Sequence, residues 1–214
     1  MTAWILAGGP LVPSGRLRRA TEGATLVVAA DGGLRHAATL GLTPSVVVGD
    51  MDSVESAALQ RWHGVPTEHH PTDKDATDLE LAAAYAVRHG ARSLRVVGAF
   101  GGRLDQTLAA TMIASGWAEA GLDVALVDGT TEVWPVASGG SRVLHVPRGT
   151  VFSLLSVTEH ASVGVRGARY EHAALHLPRG VGLGTSNVTT SCTHVDVHQG
   201  TVLIVVQFDA EAST

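Results

Sequence analysis

Aspartate is concentrated in four short motifs in the first half of the chain. Seven of the 11 aspartates fall in these motifs, at Asp31, Asp50, Asp52, Asp73, Asp75, Asp78 and Asp105. Carboxylates that meet in one cleft repel each other, by about 4 kcal/mol for two charges about 4 Å apart at an effective dielectric constant of about 20. They therefore need protons or a bound cation. A site made only of carboxylate oxygens favours Mg²⁺, which proteins usually hold together with substrate phosphates.

The spacing of the acidic residues supports a shared site. Asp50 and Asp52 are two residues apart, so in an extended segment both carboxylates leave the same side of the backbone. Asp75 and Asp78 are three residues apart at a predicted helix start, where they can share one face. Any one of these aspartates is equally well explained as the cap of a helix or turn. The whole set is better explained by a metal-binding cleft.

Glycine pairs accompany the acidic motifs. Gly8-Gly9, Gly32-Gly33 and Gly101-Gly102 lie in predicted strand-to-helix turns, where backbone N–H groups and helix N-termini attract phosphate. Arg103 follows the last pair, and its guanidinium could bind a phosphate through two hydrogen bonds. Glycine pairs alone indicate little, because many turns need glycine. Beside the carboxylates, they predict binding of a magnesium–nucleotide complex.

Lysine occurs once in the chain, inside its densest acidic motif. Of the 15 Lys and Arg residues, 14 are arginine, and the single lysine is Lys74, between Asp73 and Asp75. A compact ammonium interacts with oxygen ligands differently from a planar guanidinium. The position of this lysine also excludes a P-loop, because no Gly-x-x-x-x-Gly-Lys-Ser/Thr sequence exists. A Gly-x-Gly-x-x-Gly after a strand, a Gly-x-Ser-x-Gly elbow and a His-Glu-x-x-His motif are also missing from the sequence.

The composition limits the partners and the compartment. A net charge of −5 and a pI of about 6.1 argue against nucleic acid or an anionic membrane as the main partner. The single cysteine, Cys192, excludes an intramolecular disulfide and favours a reducing compartment. The apolar stretch 3–12 has no positive charge before it, and no stretch reaches the roughly 18 apolar residues of a membrane span. We expect a cytoplasmic protein.

Before Gly129, short apolar runs alternate with alanine-rich helical patterns. This alternation predicts crossover units and an open, mostly parallel sheet of Rossmann-like type. Thr77 to Glu80 is a capping-box pattern that begins a helix running to about His89. The predicted strands are Trp4 to Leu6, Leu26 to Val28, Val46 to Val48, Leu94 to Val97 and Val124 to Val127. In a parallel sheet, the acidic loops after these strands meet at the carboxyl edge, where such sheets bind ligands.

After Gly129 the helical pattern ends, and short runs rich in β-branched residues follow at intervals of about ten residues, which predicts an all-β sandwich or barrel. The chain is therefore expected to contain two domains, 1–129 and 130–214. The predicted strands of the second are Arg142 to Val146, Thr150 to Val157, Ser162 to Val165, Thr193 to Val197 and Thr201 to Phe208.

The order and spacing of the motifs resemble those of the thiamine pyrophosphokinase family, over nearly the whole chain. The combination of a Gly-Asp-x-Asp-Ser element with an Asp-Lys-Asp-x-Thr-Asp element is specific, whereas either alone would not be. The segments that carry the resemblance are Asp31 to Gly33, Gly49 to Ser53, Asp73 to Asp78, Gly101 to Gln106, Gly167 to Tyr170 and Thr185 to Asn187.

The resemblance implies an α/β ATP-binding domain followed by a β-sandwich, in a homodimer that binds thiamine between the subunits. It implies transfer of the pyrophosphoryl group of ATP to the thiamine hydroxyl with Mg²⁺. On this basis Asp50, Asp52 and Asp75 are the expected metal ligands. Asp78 and Asp105 are expected to support them, and Asp75 is a candidate base for the hydroxyl proton. The expected nucleotide-site residues are Asp31, Gly32, Gly33, Lys74, Thr77, Gly102, Arg103 and Gln106.

The expected thiamine contacts are Tyr170, by ring stacking, and Ser186 and Asn187, by hydrogen bonds. The sequence departs from the common family pattern at Met51, Gln106, Ala110 and Glu171-His172. These departures bear more on the expected thiamine contacts than on the expected magnesium–nucleotide site. Two alternatives therefore stay open: a pyrophosphokinase for another alcohol, such as a hydroxymethyl pterin, and a non-catalytic nucleotide- or thiamine-binding module.

Overall fold

The structure is a computed structural model, which describes residues 1–54 and 56–209 of the chain. The chain is divided into two compact units. The first comprises Met1–Ala110 and Leu126–Gly129, and the second comprises Thr111–Ala125 and the described chain from Thr130 onward. Together they contain a few helices and a larger number of parallel and antiparallel strands. The expected domain boundary at residue 129 stays a prediction.

The first unit is built on a parallel sheet with the strand order β5-β1-β2-β3-β4. The strands are β1 (Thr2–Leu6), β2 (Leu26–Ala30), β3 (Val46–Gly49), β4 (Thr67–His69) and β5 (Ser93–Val97). All five residues of β2 are buried, as expected for a parallel strand that is covered on both faces. Leu6 pairs with Ala29 on one side and Val97 on the other. The carboxyl ends of β1, β2 and β5 therefore lie at one edge.

Helices connect these strands. They are α1 (Gly15–Thr21), α2 (Arg35–Leu40), α3 (Ser56–Arg61), α4 (Asp78–Arg88) and α5 (Leu104–Glu119), with a 3₁₀ turn at Asp31–Leu34 before α2. The predicted capping box is confirmed, since Thr77 and Glu80 exchange side-chain and backbone hydrogen bonds at the start of α4. The helix buries Ala82, Ala83 and Ala86, spaced as one face requires. Among the described residues, no helix has the length and apolar character needed to cross a membrane.

The second unit is dominated by antiparallel strands in the order β11-β10-β12-β9-β13-β7, with β8 paired to β12. Its core contains Phe152, Leu154, Val163 and Ile204, all buried. The strands are β7 (Thr131–Ala137), β8 (Ser141–Leu144), β9 (Val151–Ser156), β10 (His160–Ala168), β11 (His172–Pro178), β12 (Asn187–Gln199) and β13 (Thr201–Gln207); β6 (Asp123–Val127) spans the division between the two units.

Three strands, β4, β7 and β11, were not predicted from the sequence, each for a physical reason. β4 has only three residues, none of them buried, so it carries no apolar run. β7 contains Pro135, a residue that argues against a strand interior. β11 contains no Val, Ile or Thr, the residue types by which the other strands after Gly129 were recognised, and only its Leu177 is buried. The five strands predicted before Gly129 all exist, with ends shifted by two residues at most.

Candidate active site

Three aspartates from separate motifs converge at the carboxyl edge of the parallel sheet. Asp31 follows β2, Asp50 follows β3 and Asp78 begins α4. One carboxylate oxygen from each lies within 4.8 Å of the other two, and the Asp31 side chain is buried. The convergence expected from parallel strands is therefore present for three of the four acidic motifs.

The backbone at this edge adopts conformations that are costly for residues with side chains. Asp31 has a φ of 45° and Met51 a φ of 68°, and each such residue costs about 1–3 kcal/mol. Gly49, with a φ of 151°, lies so close to the cluster that a β-carbon there would approach Asp31 Cβ to 2.9 Å and Asp78 Oδ1 to 3.2 Å. The backbone at this edge thus brings carboxylates together in conformations that lower the free energy of unfolding.

Lys74 lies within this cluster and supplies its nearest positive charge among the described residues. Its ammonium is 3.2 Å from Asp50 Oδ2 and 2.8 Å from Asp78 Oδ1. The hydrogen bond to Asp78 is the largest cause of a raised pKa at Lys74, and the bond to Asp50 adds to it. The pKa of Asp50 is lowered, first by the hydrogen bond from the Asp52 backbone N–H and further by Lys74.

Asp52 shows the opposite effect from Asp50. Its pKa is raised, mainly by the hydrogen bond it shares with the Asp50 carboxyl and by the negative charge of Asp50. The charges of Asp31 and Asp78 raise it further. Asp52 is exposed, so it stands at the open side of the cluster. Four carboxylates thus repel one another here.

The oxygens of Asp31 indicate a cation-binding role. Ser53 donates its hydroxyl hydrogen to Asp31 Oδ2 and accepts a hydrogen bond from the Gly32 N–H at 3.1 Å. Asp31 Oδ1 is buried, and none of the described residues donates a hydrogen bond to it. A buried acceptor without a partner is costly. Asp78 Oδ1 is likewise buried and, apart from its ion pair with the lysine, has no hydrogen-bond donor among the described residues. Because one oxygen each of Asp31, Asp50 and Asp78 lies within 4.8 Å of the other two, a hard cation with oxygen ligands, such as Mg²⁺, fits this donor set.

A glycine loop after β1 lies at the same edge, beside the loop after β5. The Gly9 N–H donates to the Gly98 carbonyl at 2.9 Å. Arg35 donates to the carbonyls of Gly8, Gly9 and Gly32, and the buried His36 donates from Nε2 to the Gly9 carbonyl at 2.8 Å. These bonds hold the carbonyls toward α2.

Burial lowers the pKa of His36, and the charge of Arg35 lowers it further, whereas the Gly9 carbonyl opposes the shift. Burial therefore favours the neutral form of the His36 imidazole.

The Gly101-Gly102 loop lies against Pro10, since β-carbons at either glycine would come within 3.2 Å of its ring. Arg103 and Asp105, both exposed, form a two-point ion pair with distances of 3.1 and 2.6 Å. This pair lowers the pKa of Asp105, and the Gln106 N–H donates to the same carboxylate at 2.9 Å. Arg103 and Asp105 therefore interact with each other rather than with the aspartate cluster.

The group of three converging aspartates does not include two predicted site residues near α4, Asp75 and Thr77. The helix begins at Asp78, so Asp75 precedes it, and the helical face that Asp75 and Asp78 were expected to share does not exist. Asp75 is exposed and is not one of the three converging carboxylates. The Thr77 hydroxyl is 2.7 Å from Glu80 Oε2 and accepts from the Glu80 N–H, so its side chain serves as the helix cap.

The predicted thiamine contacts border a cavity of about 250 Å³ in the second unit. Tyr170, 58% exposed, and Asn187 both line it, together with Leu154 and Leu183. The Asn187 amide donates to the Tyr170 carbonyl at 2.9 Å and accepts from the Tyr170 N–H at 3.1 Å. Asn187 thus fixes the backbone that carries the Tyr170 ring.

Ser186 adopts a φ of 59° beside the lining residues Thr185 and Asn187, and its N–H donates to Ser153 Oγ at 3.1 Å.

Several residues around the aspartate cluster and the glycine loop were not singled out from the sequence. Ser53 and Gly49 belong to a motif that was recognised for its aspartates, and their roles depend on contacts to Asp31. Arg35 and His36 directly follow the Asp31-Gly32-Gly33 motif, and the proximity of a basic pair to that motif was the available signal. Their carbonyl partners are about 27 residues away in sequence and could be found only in three dimensions.

Comparison with known proteins relates the chain to one family. The model of the family described as "Thiamin pyrophosphokinase, catalytic domain" matches residues 17–126, about half of the chain. A curated relative, the thiamine pyrophosphokinase of Bacillus subtilis strain 168, is 30% identical over 128 residues. That alignment spans 58% of this chain and 59% of the relative's length.

Solved structures agree in fold over nearly the full length. A crystal structure of thiamine pyrophosphokinase from Bacillus subtilis superposes with a TM-score of 0.86 at 22% identity, covering 98% of this chain and all of that chain. The thiamin pyrophosphokinase of Candida albicans gives 0.80 at 13% identity, covering 97% of this chain and 90% of that chain. The resemblance drawn from the motifs is confirmed, and the chain belongs to the thiamin pyrophosphokinase family.

Proposed function

We propose that this chain transfers the pyrophosphoryl group of ATP to the hydroxyl of thiamine, giving thiamine diphosphate and AMP. The observation that carries the proposal is the convergence of the Asp31, Asp50 and Asp78 oxygens within 4.8 Å, in a chain that belongs to this family. In such a transfer the hydroxyl oxygen forms a bond to the β-phosphorus, and the bond from that phosphorus to the bridging oxygen of AMP breaks. The protein's task is mainly positioning and charge neutralisation.

Mg²⁺ is the proposed cofactor, and Asp31, Asp50 and Asp78 are the residues that would hold it, with Asp52 at the open side. A bound Mg²⁺ would neutralise the charge of the phosphate oxygens during transfer. The buried Oδ1 of Asp31 without a hydrogen-bond donor supports this choice. Asp75, exposed beside the cluster motif, remains the proposed base for the hydroxyl proton of the acceptor.

The phosphates of ATP are proposed to lie over the glycine loops at the carboxyl edge. The support is the tight packing of the Gly9 loop against Gly98, with Arg35 and His36 holding the carbonyls on the α2 side. Backbone N–H groups in such loops bind phosphate. Further proposed nucleotide contacts come from Gly32, Gly33, Lys74, Thr77, Gly102, Arg103 and Gln106.

The acceptor is proposed to bind at the cavity bordered by Tyr170 and Asn187. A cavity of about 250 Å³ that is partly apolar and has an exposed aromatic ring suits a small heteroaromatic alcohol. Ser186, with its left-handed backbone, is proposed to present its hydroxyl there.

The division into an α/β nucleotide-binding domain, residues 1–129, and a β-sandwich domain, residues 130–214, is part of the proposal. So are a cytoplasmic location, favoured by the single cysteine, and a homodimer with shared sites. The exposed face of α5 supports the dimer, because Leu104, Leu108 and Met112 recur every four residues and are 57–71% exposed. Burying each such side chain would stabilise an interface by about 1.5–3 kcal/mol.

One assay tests the function against its alternatives. Purified protein is incubated with ATP, Mg²⁺ and thiamine, and both AMP and thiamine diphosphate are quantified. Equal amounts of the two products are expected, and none of either when EDTA replaces Mg²⁺. AMP formed only with a hydroxymethyl pterin would instead support a pyrophosphokinase for that alcohol. Binding of ATP or thiamine without any product would support a non-catalytic module.

A further inference from the structure

Lys74 lies between carboxylates that, under the proposed function, would bind a metal ion. Its ammonium contacts Asp50 and Asp78, which belong to different elements and different motifs. The three side chains are largely covered, at 14% exposure for Lys74, 9% for Asp50 and 28% for Asp78. Buried or partly buried charge pairs are screened by salt much less than exposed ones. This lysine therefore neutralises part of a cluster that would otherwise repel itself.

The same carboxylates cannot serve the lysine and a divalent cation equally well. The Lys74 ammonium donates to Asp50 Oδ2 and forms an ion pair with Asp78 Oδ1, and one oxygen of Asp50 and one of Asp78 also lie within 4.8 Å of each other and of an Asp31 oxygen. A cation seated in that group would share the carboxylates with the ammonium, and like charges at that range repel. The two occupants must compete.

We propose that Lys74 is an internal counter-cation that holds the aspartate cluster together before the metal binds and is displaced from it when the metal arrives. Displacement frees the ammonium for the phosphate oxygens of the nucleotide. The inference rests on the proposed function for the identity of the nucleotide. It goes beyond that function by giving Lys74 two successive sets of partners, the carboxylates first and the phosphates second.

The chemistry of lysine suits this exchange better than that of arginine. An ammonium is a compact charge on a flexible stem, whereas a guanidinium binds carboxylates through a rigid planar fork and is harder to release. Apart from Lys74, all the Lys and Arg positions of the chain are arginine. Lys74→Arg is therefore expected to keep the metal-free cluster neutralised but to hinder metal entry.

A spectroscopic test uses the fact that Lys74 is the only lysine. Protein labelled with ¹³C-lysine gives a single Cε–Hε signal, which reports this side chain without further assignment. Titration of the nucleotide-free protein with Mg²⁺ is expected to move and sharpen the signal toward that of a mobile lysine. A signal that stays unchanged at saturating Mg²⁺ would overturn the proposal, as would an absence of Mg²⁺ binding to the nucleotide-free protein.

Calorimetry on variants tests the competition separately. Lys74→Met should tighten Mg²⁺ binding to the nucleotide-free protein by about tenfold, because its competitor is gone. It should also lower the melting temperature in EDTA. Arg88→Met is the matched control, since it removes one positive charge and the ion pair with Glu68 but lies ten residues along α4 from Asp78, about 15 Å. Equal Mg²⁺ affinities of the two variants would contradict the proposal.

A second variant and a turnover assay keep the exchange of partners at Lys74 testable separately from the proposed function. If Lys74→Met fails to fold, Lys74→Arg carries the test, with weaker Mg²⁺ binding than wild type expected and unchanged binding as the contradicting result. Turnover with ATP and thiamine is measured on the labelled wild-type protein. Turnover without a lysine response overturns the exchange alone, whereas a lysine response without turnover overturns the proposed function alone.

Discussion

Gly49 passes so close to Asp31 that a β-carbon on the glycine would lie 2.9 Å from Asp31 Cβ. Real β-carbons do not approach each other so closely. The same β-carbon would lie 3.2 Å from Asp78 Oδ1, and the φ of Gly49 is 151°. A residue without a side chain is thus what allows two carboxylates from separate elements to meet.

Gly49→Ala should therefore separate Asp31 from Asp78. We expect a loss of about 1–3 kcal/mol in the free energy of unfolding from backbone strain. Mg²⁺-dependent turnover should fall by about 100-fold, which corresponds to about 2.7 kcal/mol of transition-state stabilisation. Denaturant unfolding and initial-rate measurements over a range of Mg²⁺ concentrations check both effects.

Gly90→Ala is the control for Gly49→Ala. Gly90 also has a positive φ, 87°, but a β-carbon there would meet no described atom within 4 Å. It should lose stability through strain alone and keep the wild-type dependence on Mg²⁺. If both variants showed the same Mg²⁺ dependence, the close approach at Gly49 would have no role in metal binding.

The stability of the metal-free protein should depend on pH through Asp52. Its pKa is raised, first by the hydrogen bond with Asp50 and next by the charge of Asp50. An acid with a raised folded pKa favours folding below its unfolded pKa, and this contribution is lost as the pH rises through the folded pKa. Asp52→Asn should therefore raise the melting temperature in EDTA at pH 7, and the gain should vanish below about pH 4.

The contribution of Asp105 to stability should depend on pH in the opposite direction, so Asp105 serves as the comparison for Asp52. Its pKa is lowered, first by the hydrogen bonds from Arg103, so its contribution to stability is present above the unfolded pKa and is lost as the pH falls. Asp105→Asn should lower the melting temperature at pH 7 and have little effect in acid. Melting curves of the two variants in EDTA, from pH 3 to pH 8, measure both trends. Shifts of the same sign at pH 7 would refute this electrostatic account.

The meeting of Asp31 with Asp50 was predictable, because both follow buried apolar runs that read as parallel strands, and parallel strands bring their carboxyl ends to one edge. The presence of Asp78 rather than Asp75 among the three converging carboxylates was less predictable. Asp75 and Asp78 have helical spacing, but the helix begins only at Asp78, and a difference of a few residues in a helix start changes which carboxylate faces the cluster. Helix boundaries are the least certain part of a sequence-based assignment.

The support around the aspartates was not predictable from the sequence. Arg35 contacts the carbonyls of Gly8 and Gly9, and Ser53 contacts Asp31, across 22 to 27 residues. Such pairs leave no periodic pattern, since each depends on how one loop passes over another. The outer face of α5 illustrates another limit. Its apolar residues are spaced like a buried face, yet Leu108 is 57% exposed within this chain.

Arg35 should affect nucleotide binding by positioning the glycine loop. It donates to the carbonyls of Gly8, Gly9 and Gly32, which fixes the loop on the side of α2. Arg35→Met should raise the KM for ATP by about tenfold, equivalent to about 1.4 kcal/mol, with a smaller change in kcat. Arg35→Lys should not restore the KM, because an ammonium cannot reproduce the planar fork.

The control for Arg35 is a surface arginine of the same unit. Arg88→Met removes an ion pair with Glu68 and should leave the KM for ATP unchanged. A fall in kcat for Arg35→Met at constant KM would point to chemistry rather than loop position, and would contradict this role.

Tyr170 should act on the acceptor and not on the nucleotide. Its ring is 58% exposed at the mouth of the cavity, while its backbone is fixed by two hydrogen bonds with Asn187. Tyr170→Ala removes the ring without disturbing those backbone bonds, so the fold should persist. The KM for thiamine is expected to rise by about three- to tenfold, in line with the roughly 0.5–1.5 kcal/mol of an aromatic contact, while the KM for ATP stays constant. Tyr170→Phe keeps the aromatic ring, so its KM for thiamine should stay close to that of the wild type. If Tyr170→Phe raised this KM as much as Tyr170→Ala does, the hydroxyl rather than the stacking surface of the ring would recognise the acceptor.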